Sequence, residues 1–284
     1  MRKEKMKKVN KITFLVDNQA LPHLKSEHGL AILIEHDGLR ILFDNGSGDA
    51  LFDNARYLKQ KLDNLDVIIL SHGHYDHTEN TAWLLQNNPK TKIYLHPDAL
   101  QTRYSKHIDK PLKCISMKTA NRQAIERFPQ AQVYYHTGII KISEQLVLSG
   151  QIPRKSAEDV GGPFYLDTQC QTLDSLLDDQ CLWLKKDKEV HIIAGCCHSG
   201  LINTIKYTAH HNPHHIITSI TGGLHLSNAS PERIQASIKV LKKAQLTSLY
   251  PAHCTGQAVS TQLKKALYPK TDVVLAKAGL SFCL

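Results

Sequence analysis

The sequence predicts a mixed α/β fold in which two β-sheets form a sandwich with helices on its outer faces. Short apolar strand candidates alternate with helical stretches along all 284 residues. No composition break, low-complexity linker or close internal repeat divides them, so residues 1–284 read as a single domain. With 42% hydrophobic and 21% charged residues, the chain has material for a core of that size.

In order, "KITFLV" (11–16), "LAILIEH" (30–36) and "LRILFD" (39–44) are three strands, and "HDG" (36–38) has the turn chemistry of a hairpin between the last two. "DVIILS" (66–71) is short, β-branched and bounded by polar residues, which marks a buried strand. "TENTAWLLQNN" reads as a helix capped by Thr78, followed by the strand "KIYLH" (92–96). Residues 102–130 are polar and mixed, and no element is assigned to them. "AQVYYH", "IIKI" and "QLVLSG" (131–150) read as a small antiparallel group, and residues 151–169 as a long surface loop, a kind that more often carries function. Strands "CLWLKK" (181–186) and "EVHIIAG" (189–195) follow. Then come helix "LINTIKYTAHH", strand "HIITSITGG", helix "SPERIQASIKVLKKA" and strand "SLYPAH", before helix "TQLKKAL" and a closing "VVLAKAGLSF". The helix at 231–244 has Ser230 as its cap, Pro231 at its first position, and Ile234, Ile238 and Leu241 on one face.

No apolar run approaches the roughly 20 residues that cross a bilayer, and "ITFLV" is too short for the core of a signal peptide. The expected compartment is the cytoplasm, with no membrane partner. Seven cysteines, odd in number and irregularly spaced, do not form a disulfide framework. The net charge of +9 admits acidic partners, but six of the first eleven residues are Lys or Arg, which reads as a solvated arm over residues 1–10. Aromatics are not interleaved with the lysines as a nucleic-acid surface requires, so nucleic acid is disfavoured as a partner. A small anionic molecule is preferred, and a homodimer is one assembly the sequence allows.

The stretch "SHGHYDHTEN" (71–80) places His72, His74, Asp76 and His77 directly after the buried strand. Residues two apart on an extended chain point the same way, so His72 and His74 reach one point while Asp76 and His77 reach a second close by. A lone histidine is ordinarily solvated or satisfied in the core. Four ligand side chains within six positions at the end of a buried strand would all be desolvated together, which favours a metal. Imidazole and carboxylate suit zinc, iron or manganese. Other strand ends add His198 in "AGCCHSG", His225 in "TGGLHLS" and His253 in "YPAHCTG", while "LRILFDNGSG" adds Asp44, a carboxylate able to orient a ligand histidine. Cys196, Cys197 and Cys254 read as small buried hydrophobes, with Cys196 also able to supply a thiolate to a second metal. "HHNPHH" (210–215) reads as a solvated turn and His136 as a stray ligand candidate, and nothing patterned surrounds His23, His28, His36, His96 or His107.

These residues carry a family likeness. His-x-His-x-Asp-His at 72–77, with Asp44 upstream and His253 far downstream, resembles the metallo-β-lactamase fold superfamily through nearly the whole chain. "FDNGSG", "LSHGHYDHT", "GQIPR", "GCCHSG", "GGLHL" and "HCTG" resemble its branch of dihydropterin–ribofuranosylaminobenzene-phosphate synthase-like hydrolases. The resemblance implies a four-layer αββα sandwich with metals in a cleft at one edge of the sheets. Carried over by position, His72, His74 and His198 hold a first metal, and Asp76, His77 and His253 a second. Two departures stand out: Glu79–Asn80 replaces the branch's usual Gly-Gly, and Gly195–Cys196 stands at the strand end where no bridging Asp is found.

The expected function is a hydrolase with two divalent ions, zinc first, with iron or manganese as alternatives. It would use metal-bound hydroxide on a small anionic ester or phosphodiester. Asp76 would both ligate a metal and orient the nucleophile, His225 would give a proton or hydrogen bond to the oxyanion or leaving group, and Arg154 and Lys155 in the 151–169 loop would hold a substrate anion. A nuclease, a pterin-related synthase, and a binding protein that retains the metal site are the alternatives.

Overall fold

The computed structural model describes residues 10–156, 158 and 161–284, so the basic arm expected over residues 1–10 lies, Asn10 apart, outside the described residues. The first half supplies strands β1 (Lys11–Val16), β2 (Ala31–His36), β3 (Leu39–Phe43), β4 (Val67–Ile69), β5 (Lys92–Leu95), β6 (Tyr104–Ser105), β7 (Lys113–Cys114) and β8 (Val133–Tyr135). Helices α1 (Ala50–Tyr57), α2 (Tyr75–Thr78), α3 (Thr81–Asn87) and α4 (Thr119–Arg127) lie between them. The second half supplies β9 (Ile140–Lys141), β10 (Leu146–Leu148), β11 (Phe164–Tyr165), β12 (Cys181–Lys186), β13 (Glu189–Ala194), β14 (Ile216–Gly223), β15 (Ser248–Ala252), β16 (Asp272–Val273) and β17 (Ser281–Cys283). Its helices are α5 (Leu201–His211), α6 (Pro231–Ala244) and α7 (Gln257–Leu267). One seven-stranded sheet runs β17-β1-β2-β3-β4-β5-β8, a second runs β16-β15-β14-β13-β12-β10-β9, and β11-β6-β7 form a third of three strands.

Alternating side chains build the layers. Ile32 and Ile34 of β2 cluster with Leu182 and Leu184 of β12 between the two large sheets. On the opposite faces, Ala31 and Leu33 meet Leu51 of α1 and Leu84 of α3, while Cys181 and Trp183 meet Leu201 of α5 and Leu263 of α7. The result is the expected αββα sandwich, each fully buried Leu or Ile contributing about 1.5–3 kcal/mol. No helix among the described residues is long and apolar enough to cross a membrane.

The helix cap at Ser230 holds: its hydroxyl accepts from Arg233 N at 3.2 Å. The β2–β3 hairpin turns through Asp37 and Gly38, both at positive φ. Two expectations need correcting, and one unassigned stretch gains its elements. The helix expected from Thr78 is two short helices broken at Glu79–Asn80, with Thr78 inside the first and its hydroxyl donating to His74 O. Asn80 cannot stay in a continuous helix because its amide donates to the carbonyls of Asn45 and Gly48. Residues 131–150 are not one antiparallel group: β8 pairs parallel to β5 in the first sheet, and β9 and β10 pair in the second. Within 102–130 lie β6, β7 and α4, the two strands being only two residues each, too short to carry a periodicity.

Strands β3 and β4 are parallel, and so are β13, β14 and β15, so their carboxyl ends lie along common edges and release the chain there. Asp44, Cys197, His225 and His253, which follow four of these ends, take left-handed φ of 58°, 57°, 49° and 46°. Left-handed backbone is costly for residues with a Cβ and gathers where function needs it.

Candidate metal centre

Two nitrogen-rich clusters adjoin at that edge. In the first, ligand atoms of His72, His74 and His198 all lie within 4.8 Å of one another. Hydrogen bonding sets the tautomer of His72. Ser71 Oγ donates to Asp44 Oδ2 at 2.7 Å, so its lone pair accepts from His72 Nδ1 at 2.9 Å, and His72 Nε2 is left as a bare lone pair. That lone pair faces His74 Nδ1 at 3.0 Å, while His74 Nε2 is buried with no hydrogen-bond partner. Whichever nitrogen of His74 carries the proton, one buried nitrogen goes unmet without a cation. Burial, with Arg103 next, pushes His74 down to about 3. Burial, with the neighbouring histidines, also holds His72 well below its usual range. Both rings are neutral near pH 7, as metal ligation requires.

In the second cluster, His77 Nδ1 donates to Asp44 Oδ2 at 2.7 Å and His253 Nδ1 donates to Asn18 Oδ1 at 2.8 Å. Their two Nε2 lone pairs then confront each other at 3.2 Å, with Asp76 Oδ2 at 3.7 Å from the first and 3.4 Å from the second. Two lone pairs and a carboxylate converging on one buried point demand a cation, either a proton or a metal ion. Burial alone would raise Asp76, but the charge of His77 and the hydrogen bonds of His253 and His28 hold it well below the usual carboxylate range. Burial lowers His77, yet Asp44 and Asp76 outweigh it and push the ring up to about 9. Cys196 Sγ lies 3.2 Å from His77 Nε2 and groups with both His72 and His77, between the clusters, where the sequence offered no bridging Asp.

The raised His77 fixes a sign. A histidine raised from about 6.5 to about 9 stabilises the metal-free fold below pH 6.5 and loses that contribution as pH rises through 9. A metal ion that takes His77 Nε2 displaces this proton, so apparent affinity falls by about tenfold per unit as pH drops below 9. Zinc titrated calorimetrically at pH 7 in two buffers of different ionisation enthalpy is expected to release at least one proton per chain; none released would contradict the assignment.

The supporting residues are buried. Asp44 receives Ser71 N on Oδ1 and both Ser71 Oγ and His77 Nδ1 on Oδ2, each at 2.7 Å. A Cβ at Gly195 would press into Ser71 Oγ, so this position stays bare to leave that relay intact. Gly73, between the first two histidines, donates its N–H to Asp178 Oδ2 at 2.7 Å, and a Cβ there would strike the Ala99 carbonyl. Asp178 forms a fork with the fully buried Arg103 (2.6 and 2.8 Å), whose Nε meets Asp174 at 2.7 Å. Asp17, pushed up to about 6 by burial, accepts His253 N at 2.7 Å.

A cavity of about 610 Å³ opens over the clusters, lined by His28, His74, Asp76, Cys196, His198, His225, His253 and Cys254 on one side and by Phe164 and part of the segment from Ser105 to Ile115 on the other. His225 Nε2 lies 3.2 Å from Gly161 O, and its ring is 4.3 Å from that of His198. Burial lowers its pKa, but Cys254 and the Gly161 carbonyl raise it by more. Arg154 and Lys155 do not line this cavity. The Arg154 guanidinium donates to Ser175 O, and Lys155 N donates to Asn203 Oδ1, at the start of a separate cleft. His136 is tied to Gly138 O, and His210 and His211 line the cleft of Lys155. Sequence reasoning missed His28, whose Nε2 is 3.1 Å from Asp76 Oδ2, along with Asp17, Asn18, Arg103 and Asp178.

The profile of the Metallo-beta-lactamase superfamily matches residues 26–115. The uncharacterized protein MJ0448 of Methanocaldococcus jannaschii is 30% identical over 260 residues, 89% of this chain and 94% of that one. The 7,8-dihydropterin-6-methyl-4-(beta-D-ribofuranosyl)-aminobenzene-5'-phosphate synthase of the same organism is 28% identical over 81% of this chain and 82% of its own length. Among solved structures, Tm1679, described as a metal-dependent hydrolase of the beta-lactamase superfamily, superposes with a TM-score of 0.80 at 23% identity, over 96% of this chain and 98% of that one.

Proposed function

Because this chain belongs to the metallo-β-lactamase superfamily, we propose that it is a metal-dependent hydrolase of a small anionic ester or phosphodiester, using two divalent ions with zinc the first choice. The observation that carries the reading is the pair of opposed Nε2 lone pairs of His77 and His253 beside Asp76, next to the neutral His72–His74–His198 set. The donor set fits metal ions: His72, His74 and His198 would hold one, and Asp76, His77 and His253 the other, with Cys196 within reach of both. Such ions supply Lewis acidity and acidify water from near 16 to about 7.

The chain's own side chains do the rest. Asp76, its carboxylate kept ionised and facing the cavity, accepts a hydrogen bond from the nucleophilic water and orients it. His28 Nε2, 3.1 Å from Asp76 Oδ2, buttresses that carboxylate. His225, its ring held by the Gly161 carbonyl and its proton retained by Cys254, donates to the leaving group.

Replacing His225 with Gln is expected to lower kcat on bis(para-nitrophenyl) phosphate by about 10²-fold or more, with metal content unchanged. Equal turnover by the variant would remove the acid role. Loss of wild-type turnover on chelation and its return with zinc would support the reading as a whole. A second reading, a pterin-related synthase, is favoured by the 28% identity to the archaeal synthase over most of both chains. Product analysis separates the two: hydrolysis consumes water, whereas a synthase joins two organic substrates.

A further inference from the structure

We infer that the cavity accepts a substrate with a flat apolar body and, remote from the bond that breaks, a second anionic group, phosphate or carboxylate, which Lys110 and Lys113 hold. The inference rests on the hydrolase reading and names its substrate class.

The cavity has a sharp polarity. Its floor carries His74, His198 and His253 of the ligand set and Asp76, the one carboxylate among the described residues that line it, which already faces His28 and His253. Its rim is the turn between β6 and β7, and the rim's charged lining residues are cations, Lys110 and Lys113, with His107 beside them. Among the described residues no carboxylate lies within ion-pair distance of either lysine, although others on the same face are paired, such as Lys118 with Glu79. Lys113 is also held in place: its Nζ donates to Tyr75 Oη at 2.8 Å and lies 4.4 Å from the centre of that ring. The Tyr75 hydroxyl takes one of the amine's donors, which leaves the others for a ligand. Lys106 Nζ donates to the Lys110 carbonyl, tying the turn at 2.6 Å.

Between rim and floor the wall is apolar. Ile115 and Phe164 cluster with Tyr75 packed against them, and the Phe164 ring lies 5.2 Å from His74 and 5.5 Å from His198. A flat ring on Phe164 therefore sits beside the ligand imidazoles, with a reacting group at the floor and a substituent at the lysines. One charge-assisted contact of this kind strengthens binding by about tenfold or more.

The test uses the zinc-loaded full chain and two matched phosphodiesters, para-nitrophenyl phenyl phosphate and its para-carboxyphenyl counterpart. The expected result is a KM lower by about tenfold for the carboxylated substrate. In the double variant Lys110→Ala, Lys113→Ala the KM ratio should fall to near one, and Lys110→Arg, Lys113→Arg should keep it. A ratio near one in the wild type, or one that the alanine variant preserves, would overturn the inference. Binding of phenylphosphonate and para-carboxyphenylphosphonate, measured by calorimetry on the same proteins, separates the two readings. If neither diester is hydrolysed but the carboxylated phosphonate still binds about tenfold tighter to the wild type alone, the anion site stands and the hydrolase reading falls.

Discussion

Arg103→Met is expected to destabilise the protein by about 3–5 kcal/mol and to lower its metal content. Arg103 is fully buried, forms a two-bond fork with Asp178 and reaches Asp174 through Nε. Methionine fills similar space but leaves two buried carboxylates without a counter-charge, and breaking one side of a buried pair costs far more than the pair contributes when intact. The consequence reaches the candidate metal site through one bond, Gly73 N to Asp178 Oδ2, which sets the backbone between His72 and His74. A carboxyl that protonates or rotates to escape burial releases that backbone. Thermal unfolding should show a fall in Tm of roughly 10 °C, and mass spectrometry a loss of bound metal. A change of less than about 2 °C would mean that the triad does not support the site.

Asp44→Asn is expected to weaken metal binding at the His77 position by about 10–100-fold. Asp44 is acceptor-only and receives three donors: Ser71 N, Ser71 Oγ and His77 Nδ1. Asparagine presents an NH₂ to at least one of them, so a donor faces a donor at a fully buried position. Either His77 turns, losing its aim at His253, or Ser71 turns and releases the tautomer of His72. The substitution also removes the largest influence raising His77, so less proton release should accompany zinc binding at pH 7. Competition with a chromophoric zinc chelator measures the affinity. An unchanged constant would mean that Asp44 does not orient His77 in the bound state.

The skeleton of the candidate site was legible in the sequence because its candidate ligands follow local rules. His72, His74, Asp76 and His77 stand in one short run after "DVIIL", and His198, His225 and His253 each follow an apolar strand among small residues. The sandwich of two sheets with outer helices was legible in the succession of short apolar strands and helical stretches, and the four-layer αββα order was what the family likeness implied. What stayed hidden depends on contacts between residues far apart in the chain. Arg103 meets Asp178 across 75 positions, Gly73 meets Asp178 across 105, and Asp17 meets His253 across 236. Arg103, Asp178 and Asp17 are single polar residues outside any such motif, and burial alone marks them. His28 is largely exposed, so neither hydropathy nor spacing sets it apart from a solvated histidine. Lys110 and Lys113 were invisible as cavity residues because the hairpin that carries them has two-residue strands, whereas the basic pair at 154–155 lay in a loop that drew notice by its length. Parallel pairing of β8 with β5 crosses a helix and leaves no mark within the strand itself.

The central claim is that the two clusters hold one metal ion each. It is tested most directly by metal content, measured by mass spectrometry on full-length protein purified without a histidine tag, for the wild type and for His77→Ala. About two ions per chain falling to about one in the variant is the expected result. No metal in either after supplementation, or the same content in both, would contradict it.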